Sequence, residues 1–224
     1  MLYRLVVAIL IAGAVGACAA AQTPPSEPVF TESVSPLGNK DVGKTETAIG
    51  DLAADAVRSL LHTNIAFIAA SELKPKDPPL PAGRITLKDI EPLISYPEDP
   101  LAVLEITGKA VRQALERSVS IYPQPNLGFL QVSGIEFAFD STKPAGSKVT
   151  AVKVGGVPIN DDALYSVGVT NSVANGALGY WKCWEQDKVK QRRPDATILK
   201  AVEAYFKANP KIDYSKLNRI TPAQ

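Results

Sequence analysis

Residues 101–120 read LAVLEITGKAVRQALERSVS, and they carry in succession the two periodicities that decide the fold. Leu101-Ala102-Val103-Leu104-Glu105-Ile106-Thr107 is a mostly apolar run of strand length. Gly108 breaks it, and residues 109–120 then place Val111, Ala114, Leu115 and Val119 on one face of a helix. A strand that feeds a helix is a unit of a layered domain, and the flanking sequence shows which kind.

Upstream, residues 45–61 carry Ile49, Leu52, Ala53, Ala56 and Leu60 at helical spacing, with Asp51, Asp55 and Arg58 elsewhere on the wheel. This predicts an amphipathic helix. Residues 64–71 are a second short apolar run, a strand, and the proline-rich residues 73–83 form a loop. Thr86 and Asp89 stand at the spacing of a capped helix start. Downstream the pattern changes. Residues 129–140, 148–154 and 164–170 are rich in β-branched and aromatic side chains, and Pro144-Ala145-Gly146 and Gly155-Gly156 favour antiparallel turns between them. Residues 195–208 predict a last helix with Ile198, Leu199, Val202, Tyr205 and Phe206 inward, stopped by Asn209-Pro210. The expectation is an α+β domain, a mixed sheet flanked by helices.

The N-terminus is expected to lie outside that domain. Arg4 precedes an uncharged apolar run that ends at Ala17, too short to span a bilayer and suited to a secretory signal over residues 1–17. Val15-Gly16-Ala17-Cys18 resembles a bacterial lipobox, so Cys18 is expected to carry a lipid anchor, with cleavage near Ala21 by an ordinary signal peptidase as the alternative. The protein is then exported to the cell envelope or periplasm and held on a membrane by that anchor. Residues 18–44, with four prolines, are expected to be a linker, and residues 45–224 a single domain.

Composition excludes more than it selects. A net charge of +1 and a pI near 7.7 lack the basic surface of nucleic-acid binders. The chain has two cysteines, and with Cys18 lipidated Cys183 has no disulfide partner. The single histidine, His62, cannot supply a dinuclear or zinc hydrolase centre, so neither a metal nor another cofactor is expected. His62 fits a helix end, and Asp161-Asp162 fit a solvated loop. No nucleophile elbow, phosphate loop or dinucleotide fingerprint occurs, and no residue is assigned a catalytic role.

One loop departs from this bland picture. Residues 173–181 read VANGALGYW: Asn-Gly and a second glycine mark a tight turn, yet the turn ends in two large aromatic rings. Such a loop either plugs the core with those rings or holds a flat ligand with them.

Taken in order, Thr45-Glu46-Thr47-Ala48-Ile49-Gly50-Asp51-Leu52, the strand at Asn64, Ala82-Gly83-Arg84-Ile85-Thr86, Leu104-Glu105-Ile106-Thr107-Gly108, Gly128-Phe129-Leu130-Gln131-Val132-Ser133-Gly134 and the VANGALGY loop resemble the C-terminal domain of the 5'-nucleotidase and UDP-sugar hydrolase family. The resemblance implies a domain that recognises the nucleotide, while a separate N-terminal metallophosphoesterase domain, not present in these residues, holds the metals and hydrolyses it. It further implies that a base stacks between Phe129 and Tyr180, with Asn175 as a polar contact and Lys74 in place of an arginine that meets phosphate. Four departures weaken phosphate recognition. Lys74 lacks the bidentate fork of arginine, Glu72 adds a repelling charge, and the family's Pro-Phe-x-Asn becomes Tyr96-Pro97-Glu98-Asp99; Ala177-Leu178 likewise replace Gly-Asp in the aromatic loop. The expected ligand is a nucleoside or nucleotide-like molecule. Two further readings stay open: one subunit of a two-chain hydrolase with a separate metallophosphoesterase, and a structural or interaction domain of the envelope.

Overall fold

The computed structural model describes residues 29–223 of the 224-residue chain. In chain order its elements are β1 (Phe30–Ser33), α1 (Ala48–Leu61), β2 (Ile65–Ala69), β3 (Gly83–Thr86), α2 (Leu87–Ile90), β4 (Pro100–Thr107), α3 (Gly108–Ser118), β5 (Leu130–Ser133) and β6 (Ile135–Asp140). There follow β7 (Val149–Val154), β8 (Val157–Pro158), β9 (Leu164–Thr170), α4 (Asn171–Ala174), β10 (Val189–Thr197), α5 (Ile198–Ala208), β11 (Lys211–Ile212) and β12 (Ile220–Ala223).

The central sheet runs β10-β4-β9-β2-β5 and is mixed: β2 lies parallel to β9, and the other neighbours are antiparallel. Every residue of β2 and β5 is buried, as expected of strands covered on both faces. Helix α1 packs on β2, β5 and β9, and α5 packs in turn on α1. Two small sheets, β11-β1-β3 and β12-β6-β7-β8, flank this layer. The expected α+β architecture with a mixed sheet is the one found.

The strand–Gly–helix unit lies close to its expected place, with Thr107 capping α3 through its side chain, which accepts from the Ala110 N–H. The run at 129–140 is divided. At Gly134 (φ +74) the chain leaves the central sheet for the flanking one, and a Cβ there would stand 2.1 Å from the Asn64 carbonyl oxygen. Only glycine fits that crossing.

Four expectations need correction. The polar stripe of α1 does not face water: Asp51 is fully buried, and Asp55 binds Arg219 through Oδ1–Nη1 (2.8 Å) and Oδ2–Nη2 (2.9 Å). The C-terminal segment supplies this second cover, which no periodicity within α1 could reveal. Residues 29–44 are not linker. β1 pairs with β3 and β11, and Leu37, Asn39 and Val42 are buried. The signal segment and the remainder of the expected linker lie outside the described residues. The last helix begins at Ile198, because residues 189–197 form β10, an edge strand whose charges hide it from any alternation of apolar side chains. Helix α1 begins at Ala48 and not at residue 45, capped by Thr47, whose Oγ1 accepts from the Gly50 N–H at 3.1 Å.

The Phe-Leu-Gln-Val-Ser-Gly strand has a structural duty that its sequence conceals. Gln131 is buried beside the start of α1. Its Nε2 donates to the carbonyls of Val42 (3.0 Å) and Thr45 (2.8 Å), and its Oε1 accepts from the Thr47 N–H (2.9 Å). One side chain thereby satisfies three backbone groups that burial would otherwise strand, at about 1–3 kcal/mol each.

Candidate ligand cleft

Where β2 ends, residues 70–75 are held on both sides by backbone hydrogen bonds. Ala70 donates to the Phe129 carbonyl (2.8 Å) and Ser71 to that of Leu127 (2.9 Å). On the other side Lys74 donates to Leu93 (2.8 Å), and Ser95 donates to the carbonyl of Glu72 (2.9 Å). This strip is the floor of a cleft of about 700 Å³, with Tyr96 at one wall and Leu127 at the other. The size suits a small organic ligand. Tyr96 is 60% exposed and Leu127 68%, so both walls present apolar surface that none of the described residues covers. Polar groups from Ser71, Asn126, Lys40 and Lys74 share the lining. Asn39 fixes the backbone of Lys74 by donating to its carbonyl (2.8 Å); Lys40 pairs with Asp77 at 3.0 Å, whereas Lys74 makes no ion pair among the described residues. A polar depression of about 400 Å³ lies elsewhere, by the end of α1, but its Arg58 and Arg219 are already engaged by Ser133 and Asp55.

Of the residues singled out from the sequence, Lys74 lines the cleft. Asn175 does not: its Oδ1 accepts from Nη2 of Arg192 at 2.8 Å, and Arg192 also binds Asn171. Phe129 is 1% exposed and Tyr180 0%. Gly176, Leu178 and Gly179 all adopt left-handed φ values (89°, 59° and 87°), and the turn they make carries Tyr180 into the core. There its ring stacks on Trp184, with centroids 5.3 Å apart and planes 9° from parallel, and its hydroxyl donates to the Gly128 carbonyl. Burial holds that hydroxyl well above its ordinary titration range. Neither ring turns a face to solvent, so no base sandwich between Phe129 and Tyr180 is formed in this structure. Trp181, the loop's other aromatic residue, is exposed. Cys18 lies outside the described residues.

The remaining reactive side chains are placed in structural roles. Burial pushes the Cys183 thiol up to about 11, so it is no nucleophile near neutral pH. His62 is the left-handed C-cap of α1 (φ 52°), and Asp161 pairs with Arg112 at 2.8 Å. Among the described residues no group of three His, Cys, Asp or Glu side chains is arranged to hold a metal ion.

Sequence reasoning missed Tyr96 and Leu127 as walls because each sits in a proline-bounded segment without periodicity. It also missed the depth of Glu72. That carboxyl is buried under the cleft floor, where Oε2 accepts from the Ala69 N–H at 2.8 Å and Oε1 meets the Thr170 hydroxyl. Burial pushes it up to about 7; the hydrogen bonds from Thr170 and Ala69 oppose the rise, and Asp99 adds to it.

The family model of the 5'-nucleotidase C-terminal domain matches residues 28–185. A segment of 103 residues is 34% identical to the trifunctional nucleotide phosphoesterase YfkN of Bacillus subtilis, covering 44% of this chain and 7% of that protein. A snake venom 5'-nucleotidase of Macrovipera lebetinus is 27% identical over 154 residues, 60% of this chain and 38% of the venom protein. Among solved structures, the 5'-nucleotidase precursor of Thermus thermophilus superposes with a TM-score of 0.76 at 27% identity, covering 88% of this chain and 40% of that one. The NAD nucleotidase of Haemophilus influenzae shares the fold at a TM-score of 0.73, 18% identity, and 88% and 38% coverage. The chain thus spans well under half the length of these relatives.

Proposed function

Because the chain belongs to the 5'-nucleotidase C-terminal domain family, we propose that it recognises a nucleoside or nucleotide-like ligand in the cleft between Tyr96 and Leu127. The observation that carries this reading is the pair of uncovered walls above a hydrogen-bonded floor. A flat ring laid on Tyr96 and against Leu127 would bury apolar surface that is now in water, and stacking on an aromatic face is worth about 1–3 kcal/mol per base. Ser71 supplies a hydrogen-bonding group for a ring edge, and Lys74 the positive charge for an anionic end. A sandwich between Phe129 and Tyr180 would instead require both rings to leave the core, at the cost of their burial.

In this reading the chain binds and does not hydrolyse; hydrolysis needs a metallophosphoesterase domain or chain beside it. Export through residues 1–17 and lipid attachment at Cys18 belong to the same proposal, supported by the apolar run and the lipobox spelling.

The test is thermal unfolding of the protein with a panel of nucleosides, nucleotides and nucleotide sugars, repeated with Tyr96→Ala. A ligand at a hundred times its Kd adds about 2.7 kcal/mol, a rise of several degrees in Tm. The expected result is a rise that Tyr96→Ala removes without lowering the unliganded Tm. A panel that leaves Tm unmoved would turn the search to a protein partner.

A further inference from the structure

Asp41 is the one acid among the residues that line the cleft, and its backbone is in an uncommon conformation. Its φ is +59°, in the left-handed region that glycine occupies most readily and that other residues enter at a cost. The chain on either side holds it there. Asn39 donates from its side chain to the Lys74 carbonyl (2.8 Å) and from its backbone to that of Lys76 (3.2 Å). The carbonyl of Val42 accepts from Gln131 Nε2 (3.0 Å), and that of Gly43 from the Asn126 N–H (2.8 Å). The carbonyl of Asp41 itself accepts from the N–H groups of Lys44 (2.8 Å) and Thr45 (3.0 Å). A turn fixed this firmly can carry a strained residue, and such residues gather at ligand sites.

The side chain, by contrast, is left available. The Asp41 carboxylate is half-exposed: Oδ1 lies 3.4 Å from the Lys44 ammonium, an exposed pair of little strength, and Oδ2 meets no hydrogen-bond donor among the described residues. The adjacent Lys40 is turned to Asp77 at 3.0 Å. The cleft therefore holds a two-oxygen acceptor on a rigid turn, and Asn39 ties that turn to the backbone of Lys74.

We propose that Asp41 reads the adjacent hydroxyl pair of a ribose, so that the cleft selects ribonucleosides over 2'-deoxyribonucleosides. This rests on the nucleoside reading of the cleft. A carboxylate only accepts, and its two oxygens can each take one hydroxyl of a neighbouring pair. The same pairing of an acid with ribose fixes the sugar in dinucleotide-binding folds. In a nucleotide the ribose joins the base to the 5' group, so a base on Tyr96 and Leu127 and an anionic end at Lys74 leave the sugar to the Asp41 turn. A 2'-deoxy sugar leaves one carboxylate oxygen without its donor, and a site built to bind a hydroxyl rejects the analogue that lacks it.

The experiment uses the full chain and four probes: adenosine, uridine and the 2'-deoxy counterpart of each. Calorimetric titration of wild type should show the ribonucleoside bound about tenfold or more tightly than its counterpart, the loss of one hydrogen bond to a charged group. Asp41→Gly, which keeps the left-handed backbone and removes the carboxylate, should bind the two members of each pair alike. Asp41→Asn keeps one acceptor oxygen and also tolerates the left-handed region, so its preference should fall between; it serves as well if Asp41→Gly does not fold. A ribonucleoside that binds wild type no more tightly than its 2'-deoxy counterpart, or a preference that both variants leave in place, overturns this inference alone. Failure of all four probes to bind wild type overturns the nucleoside reading and the role of Asp41 with it.

Discussion

The Tyr180 hydroxyl donates to the carbonyl of Gly128, so the Asn-Gly loop is buttoned from inside the core to the segment that carries the cleft wall. Tyr180→Phe keeps the ring and its stack on Trp184 but leaves that carbonyl buried without its partner. The expected cost is about 1–3 kcal/mol, read from the urea midpoint at constant slope. A loss below a few tenths of a kcal/mol would show that water reaches the carbonyl and that the button is not closed.

The left-handed turn before Tyr180 depends on glycine for space as well as conformation. A Cβ on Gly176 would lie 2.6 Å from the Cβ of Trp181, while one on Gly156, at a similar φ of +81, would meet nothing within 4 Å. Both alanine substitutions incur the left-handed penalty of about 1–2 kcal/mol, and only Gly176→Ala adds a steric clash. Thermal unfolding should therefore place Gly176→Ala clearly below Gly156→Ala. Equal losses would mean that the loop shifts freely around Trp181.

Legibility followed the range of each signal. The 101–120 unit, the strand at 164–170 and the helix 198–208 are visible because their side chains repeat at strand or helix period against one continuous core. β10 is hidden by Lys190, Gln191, Arg192 and Arg193, which an edge strand tolerates; β11 and β12 are too short and polar to register. In α1 the apolar face is legible and the partner of its polar face is not. Asp51 and Asp55 look solvent-facing until Arg219, more than 160 residues later, arrives opposite them. The cleft was legible only in part, through Lys74. Tyr96 and Leu127 become walls because backbone hydrogen bonds bring their segments to the same strip, a juxtaposition without local trace. The aromatic loop announced a special turn, and its inward or outward direction was decided by Trp184.

The contact between α1 and the C-terminal segment makes stability depend on pH in a definable window. Arg219 gives two hydrogen bonds to Asp55 and only a 3.4 Å approach of Nε to Asp51, whose carboxyl oxygens have no hydrogen-bond partner. Burial outweighs that attraction and pushes the Asp51 carboxyl from its ordinary 3.8 up to about 9. In the unfolded chain Asp51 ionises near the ordinary value, so between the two values the folded state holds one proton more. Its contribution is complete below about pH 4 and is lost as pH rises towards about 9, at up to about 1.4 kcal/mol per pH unit. Glu72 adds a similar loss that ends at about 7, and the Cys183 thiol, held up to about 11 in the fold, adds a smaller one as pH nears its ordinary 9. Urea unfolding between about pH 7.5 and pH 9 should therefore show wild type losing clearly more stability than Asp51→Asn, which keeps only the small thiol contribution. Parallel curves for the two proteins would show that Asp51 is ionised in the fold and that Arg219 is a true partner to both acids.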